Sequence, residues 1–259
     1  MPNPWDAGTA SLLKDFGFEA IATSSAALAW SMARRDISGA VRRDDAIAHA
    51  RLLSEATGLP VNGDFESGYG DTPAEVAETM RRTIDAGIAG CSIEDQDQAA
   101  KSLYPLDEAL RRFAAAKEAA LKSGSDFVLT GRCEVMFHKH ADPLGEAIRR
   151  LRAYEQAGAD VVYAPGLTQE ADVRAVVEAV KAPVNVLGGL GGISDDIAAL
   201  ERLGVRRVSI GAGLAKVALG AFLKAAQGLA ERRVAFEGAA PSSTLNGAFA
   251  ATRGENGDD

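Results

Sequence analysis

The chain repeats one unit: a short apolar or β-branched run, a polar loop, and a helix-length amphipathic segment that stops at glycine. The unit recurs about every thirty residues. Strands are expected at Ala20–Thr23, Pro60–Asp64, Gly90–Glu94, Phe127–Arg132, Asp160–Tyr163, Pro183–Leu187 and Arg206–Ile210. Helices are expected near Ala7–Phe16, Asp44–Thr57, Pro73–Ala86, Leu106–Lys122, Pro143–Ala157, Glu170–Val180 and Asp195–Leu203. Gly17, Gly58, Gly87 and Gly158 each follow a helical segment and supply a left-handed cap before the next strand. Strands that alternate with helices pair in parallel, and their nearly continuous apolar character implies burial on both faces. An α/β fold of the (β/α)8 TIM-barrel type satisfies this pattern. The competing layout is an open doubly wound sheet, but no G-x-G-x-x-G follows an early strand as a dinucleotide site would require.

An eighth strand would have to lie at the very start, where Met1-Pro-Asn-Pro-Trp5 looks like only the end of one. Either the first strand is short or upstream sequence is absent. After Ile210 an apolar helix is expected from Leu214 to about Phe236, left over once the barrel is closed. It would pack on its own barrel or be swapped onto a neighbouring subunit. Residues 1–236 are thus expected to form one barrel domain with this extra C-terminal helix, and 237–259, small, polar and finally acidic, a flexible tail.

With 259 residues, 47% of them hydrophobic, the chain can bury a full core. A net charge of −8 with no Lys/Arg run argues against a nucleic-acid partner and for small metabolites. No apolar run is long enough to span a bilayer and no signal peptide is evident. Two cysteines without metal-finger or CxxC spacing suit a reducing cytoplasm.

In β/α barrels the chemistry gathers at the carboxyl ends of strands. Here those ends carry Thr23-Ser24-Ser25, then Asp64 and Glu66, then Ser92, Glu94 and Asp95, then Arg132 and Glu134, then Tyr163, Asn185 and the loop Gly188–Gly192. Along an extended backbone Asp64 and Glu66 would share one face, and two anions that close call for a cation, for which hard oxygens suit Mg²⁺ or Mn²⁺. The plain alternatives are a solvated acidic turn, and an Arg132–Glu134 ion pair that only ties the site together. Cys133 alternates with its neighbours and should be buried packing, as should Cys91; His49 falls in a helix. His138 and His140 could reach the pocket or sit on a surface loop.

Five segments then carry a resemblance: P-N-P-W-D-A-G-T-A at the start, A-T-S-S-A-A-L-A-W-S around Ser25, D-F-E-S-G-Y-G-D from Asp64, C-S-I-E-D from Cys91 and T-G-R-C-E from Thr130. In this order and spacing the chain resembles the phosphoenolpyruvate mutase/isocitrate lyase superfamily, from residue 2 to about 213. The resemblance implies a β/α barrel that binds Mg²⁺ and a 2-oxo acid or its enolate, assembled as a homodimer or homotetramer through an exchanged C-terminal helix. It assigns Asp64, Glu66 and Glu94 to the metal, Ser24 and Ser25 to the substrate carboxylate, and Asp36 to the acidic network near the metal. Arg132, with Glu134 beside it, falls on the catalytic side at the carboxylate or enolate oxygen, and Asn185 on the substrate.

The departures narrow the activity. Isocitrate and methylisocitrate lyases carry K-K-C-G-H or K-R-C-G-H in the loop after Glu94, whereas this chain reads D-Q-D-Q-A-A-K-S-L-Y-P. Lys101 lies where phosphonate-processing members have a lysine, without the surrounding pattern. Glu66 also stands where relatives often have Asp. The expected activity is Mg²⁺-dependent cleavage of a C–C bond in a small 2-hydroxy or 2-oxo dicarboxylate through an enolate. The rivals are C–P bond hydrolysis or mutation of phosphonopyruvate, oxaloacetate decarboxylation, and a barrel that binds a 2-oxo acid without turnover.

Overall fold

The computed structural model describes residues 1–37 and 39–253. Seven strands form one parallel sheet: β1 (Ile21–Ala22), β2 (Val61–Asp64), β3 (Gly90–Glu94), β6 (Val128–Arg132), β7 (Val161–Tyr163), β8 (Val184–Leu187) and β9 (Arg207–Ser209), in that order around the wall. A two-residue antiparallel ladder, β4 (Gln96–Asp97) with β5 (Ser102–Leu103), stands in the loop after β3, where the sequence offered no strand signal.

The wall is nearly closed, and the first residues fill the seam between β9 and β1. The Met1 nitrogen donates to Val208 O (2.8 Å) and Ala22 N donates to Pro2 O (2.9 Å). Asn3 ties the two edges from above: its Nδ2 donates to Thr23 O (2.7 Å) and its Oδ1 accepts from Ile210 N (3.0 Å). The expected eighth strand is thus a short connecting segment without ladder pairing of its own.

Helices α1 (Ala7–Asp15), α2 (Ser25–Ser31), α3 (Arg43–Thr57), α4 (Pro73–Asp85), α5 (Leu106–Ser123), α6 (Pro143–Gln156), α7 (Glu170–Ala179) and α8 (Ile197–Arg202) follow the barrel's course. Local chemistry sets their ends. Thr72 and Glu75 form a capping box with Pro73 in the first turn, and Asp142 caps α6 at Gly145 N. Gly17, Gly58, Gly87 and Gly158 all take the left-handed conformation, with φ between 68° and 92°. The core is made where both faces of the strands are covered: all five residues of β3 are buried, and Val76, Met80, Phe113, Leu151 and Val173 press onto the wall from α4 to α7.

The structure adds to and shifts the expected elements. Ser25–Ser31 is helical, because Ser24 accepts Ala27 N at its start and turns the chain directly out of β1. The last barrel helix begins only at Ile197, since Gly192–Asp195 form a 3-10 turn and Asp196 caps at Ala199 N. Beyond the barrel, α9 (Gly213–Ala230) ends short of Phe236, and the stretch expected as a flexible tail contains α10 (Ser242–Arg253), whose Ala248 is buried and whose Phe249 approaches Gly8 of α1. Residues 254–259 of that stretch lie outside the described residues. On α9, Val217, Phe222 and Leu223 are 66–72% exposed, so a broad apolar side faces outward in the single chain.

Candidate active site

Asp64 is the last residue of β2. Its backbone nitrogen donates to Thr23 Oγ1 (2.7 Å), and its Oδ2 accepts from both the backbone nitrogen and the hydroxyl of Ser25 (3.0 Å each). The first turn of α2 is therefore clamped onto the carboxylate. Gly63 is needed just before it, since a Cβ there would sit 2.5 Å from the ring of fully buried Phe65. Glu66 does not continue the strand: its φ is +49°, a conformation a side chain takes only when its surroundings impose it. Alternation along an extended backbone is thus not what brings Glu66 near Asp64. The turn is held from α5, where buried Arg112 donates from Nη2 to Ser67 O (2.8 Å) and Gly70 O (2.6 Å) and from Nη1 to Asp71 O (3.1 Å), with its guanidinium 4.6 Å from the Tyr104 ring centre.

Arg132, at the end of β6, joins three carboxylates. Nη1 donates to Asp64 Oδ1 (3.1 Å), Nη2 lies 3.3 Å from Glu94 Oε2, and Nε donates to Glu134 Oε1. Glu134 is in turn fixed because its nitrogen donates to Asp95 Oδ1 (2.9 Å); the other oxygen of Asp95 accepts from Arg150 Nη1 and Tyr154 OH (3.0 Å each). Glu94 also receives Gln98 Nε2 (2.6 Å) from the loop after β3. Arg132 pairs with Glu134 and also lines the open cavity.

That cavity, about 350 Å³, opens at the carboxyl ends of the strands. Of the residues assigned from the sequence, Ser24, Ser25, Asp36, Asp64, Arg132 and Asn185 line it; Glu66, Glu94 and Glu134 do not. His138 instead meets Gln96 (3.3 Å), exposed His140 accepts from Asp142 N, and His49 is buried with Nε2 at 2.9 Å from Trp5 O. Cys91 and Cys133 are buried and unpaired. Lys101 is exposed at φ +53°. The lining also holds residues that sequence reasoning passed over: Trp30, Arg207, Ser209 and Lys216. Arg207 had a signal, a charge two positions before Ser209 in the expected strand Arg206–Ile210.

The register explains the grouping. It pairs Glu94 with Arg132, Arg132 with Tyr163, Tyr163 with Asn185, and Asn185 with Arg207. One line of side chains therefore crosses β3, β6, β7, β8 and β9.

The electrostatics follow from burial and from crowding of like charge. Burial raises the carboxyl of Glu94 well above its ordinary range, with Glu134, Asp64 and Glu66 adding to it against the pull of Arg132. Burial and then the charges of Asp64 and Asp36 push Glu66 up to about 7, and loss of solvation with Asp64 raises Asp36. Burial works against the charge of Arg132, yet Glu134, Glu94 and Asp64 hold it well above an ordinary arginine. Tyr163, its ring 5.4 Å from the Arg132 guanidinium, is pushed up to about 12 by burial.

The donors fit a hard divalent cation. The Glu66 carboxylate has no hydrogen bond or ion pair with any described residue, and its raised pKa, like that of Asp36, marks negative charge that Arg132 alone does not balance. Asp64, Glu66 and Asp36 bring the hard carboxylate oxygens that such an ion takes; among the described residues no three acidic, histidine or cysteine side chains close a cage. Glu94, expected as a third ligand, has Arg132 Nη2 and Gln98 Nε2 at its carboxylate.

The phosphoenolpyruvate phosphomutase family profile matches residues 1–230. A solved structure of a candidate lyase/mutase from Burkholderia cenocepacia J2315 shares 47% identity over 96% of this chain and 90% of that one, with a TM-score of 0.90. The structure of 2,3-dimethylmalate lyase, a PEP mutase/isocitrate lyase superfamily member, aligns with a TM-score of 0.85 at 26% identity over 98% of this chain and 90% of its own. The 2-methylisocitrate lyase of Escherichia coli K12 is 31% identical over 69% of this chain and 61% of that enzyme. The chain spans about 60% of the length of the curated relatives it matches. It belongs to the phosphoenolpyruvate mutase/isocitrate lyase superfamily.

Proposed function

We propose that this superfamily member is a Mg²⁺-dependent lyase that breaks a C–C bond in a small 2-hydroxy or 2-oxo dicarboxylate, leaving an enolate. The observation that carries the reading is the position of Arg132, lining the cavity while gripped by Asp64, Glu94 and Glu134. Asp64 and Glu66, with Asp36 beside them, would hold the ion, and Glu94 would act on it from behind. Bound there, Mg²⁺ supplies an electrophile that polarises the substrate's oxygen.

The chain's own groups do the rest. The Ser25 nitrogen and hydroxyl, which now grip Asp64, are the donors a substrate carboxylate needs, with the Ser24 segment alongside. Arg132 faces the oxygen on which charge gathers; its guanidinium is fixed on three sides before the reaction starts, so little reorganisation is needed. In a 2-hydroxy acid the hydroxyl gives its proton to a solvent base, its oxygen forms the C2 carbonyl as the C2–C3 bond breaks, and the electron pair leaves on the carbon next to the second carboxylate. That carbon must then take a proton. The loop between β3 and α5 brings Gln96 and Gln98, not a cysteine or histidine, which separates this site from the loop pattern K-K-C-G-H.

We assign the reaction to the cytoplasm, in keeping with two buried, unpaired cysteines; among the described residues no helix is long and apolar enough to cross a membrane. The outward apolar side of α9 supports a homodimer or homotetramer.

A screen of 2-oxo and 2-hydroxy diacids and phosphonopyruvate, with and without Mg²⁺ and read by mass spectrometry, tests the assignment. Pyruvate or glyoxylate released from a substituted malate or oxaloacetate only with Mg²⁺ is the expected result. Release of inorganic phosphate from phosphonopyruvate would move the chain to C–P chemistry, and ligand binding without any product would make it a binding protein.

A further inference from the structure

Among the described residues, Arg207 lines the cavity without a counter-ion. Arg207 enters from β9, where Nε donates to Asn185 Oδ1 (3.1 Å) and Nη2 to Thr130 Oγ1 (2.8 Å), both neutral acceptors. Its Nη1 has no acceptor among the described residues, and none of their carboxylates forms an ion pair with it. Enclosure in the barrel pushes its pKa down to about 10, the reverse of what an anion beside it would do. A guanidinium taken partly out of water without an anion is unfavourable until something restores the lost solvation.

The surroundings are built, not incidental. Thr130 is 0% exposed and Asn185 1%, and the Asn185 amide is held by donation from Nδ2 to Ser209 Oγ (3.0 Å), which points its oxygen at Arg207. Depth tells which part of a ligand would arrive there. Thr130 and Arg132 lie two apart on β6 and share a face, so the Arg207 guanidinium meets that strand about 7 Å below the Arg132 position. Both arginines line the same cavity, so a ligand whose oxo-acid end lies at Arg132 and Ser25 has its far end toward Arg207.

We propose that Arg207, oriented by Asn185 and Thr130, binds the second acidic group of the substrate and so makes the cavity select small diacids over compact ligands that lack a distal acid. Its fork matches a carboxylate with two parallel hydrogen bonds, and lysine would not. This rests on the lyase reading above, in which the Arg132 end of the cavity takes the oxo acid.

The test is calorimetric titration, with Mg²⁺, of wild type, Arg207→Lys and Arg207→Gln with oxalate, which reaches only the Arg132 end, and with 3,3-difluorooxaloacetate, which carries a distal carboxylate. Arg207→Gln should lose at least tenfold in affinity for difluorooxaloacetate and keep oxalate within twofold. Arg207→Lys, which keeps the charge if the glutamine variant does not fold, should lose about threefold on the diacid alone. Equal losses on both ligands, or none on the diacid, overturn the assignment and leave Arg207 a strut across the barrel. Wild type that binds oxalate but binds the diacid no tighter overturns it too, with the lyase reading intact; wild type that binds neither ligand overturns both.

Discussion

Two arginines line the same cavity and the barrel treats them in opposite ways. Arg132 stands among Asp64, Glu94 and Glu134, and their charges hold its pKa up despite burial. Arg207, on the far side of the register line, donates to the neutral oxygens of Asn185 and Thr130, and burial drags its pKa down to about 10. Near Arg132 the excess is negative, so that wall is suited to a cation and to an oxygen on which charge gathers. Near Arg207 the excess is positive, and that floor is suited to an anion. The residue type is the same; the neighbours decide what each can do.

The largest way to break the contrast is to change the guanidinium whose three partners set its aim. Arg132→Lys keeps the charge but cannot reach Asp64, Glu94 and Glu134 together. Steady-state turnover on the substrate found by the screen should fall about a thousandfold, ~4 kcal/mol of transition-state stabilisation, mostly in kcat. A variant within tenfold of wild type would show that Arg132 only ties the wall together.

A smaller effect separates the two regions by what braces them. Behind the acidic wall, Glu146 Oε1 accepts from Arg150 Nε (2.6 Å) while Arg150 also holds Asp95, the residue that fixes Glu134. Hydrogen bonds from Arg149 and Arg150 hold the Glu146 carboxyl down to about 2. A depressed carboxyl adds stability above its unfolded pKa and loses it as pH falls through the folded one. Stability of wild type should therefore drop by about 2 kcal/mol between pH 4.5 and pH 2 from this group, and Glu146→Gln should flatten that limb. Denaturant unfolding across that range reads it. The floor around Arg207 carries no such carboxylate, so Arg207→Gln should keep the wild-type acid limb; a limb altered by Arg207→Gln would dissolve the distinction.

What the sequence made legible follows the same division. The β/α period, the glycine caps and the strand ends that carry Asp64 and Arg132 were readable because strand and helix periods and strand-end chemistry are local properties. The seam filled by Met1 to Asn3 was not, since it depends on bonds to Val208 and Ile210 more than two hundred residues away. Alternation put Asp64 and Glu66 on one face, but the strand stops at Asp64 and Glu66 turns left-handed, held by a loop that Arg112 grips from another helix. Arg207 was not legible, because one of two adjacent arginines at a strand start gains its meaning only when the register sets it beside Asn185. Helix α10 lay hidden in a stretch whose small polar residues read as a tail.

On this reading the acidic wall takes an oxo acid together with a hard cation. Calorimetric titration of the wild-type protein with oxalate, with and without Mg²⁺, tests it most directly. Binding should tighten at least a hundredfold when Mg²⁺ is present, because the surplus charge of Asp64, Glu66 and Asp36 otherwise repels the ligand. Oxalate affinity that is the same in the presence and absence of Mg²⁺ would contradict the account.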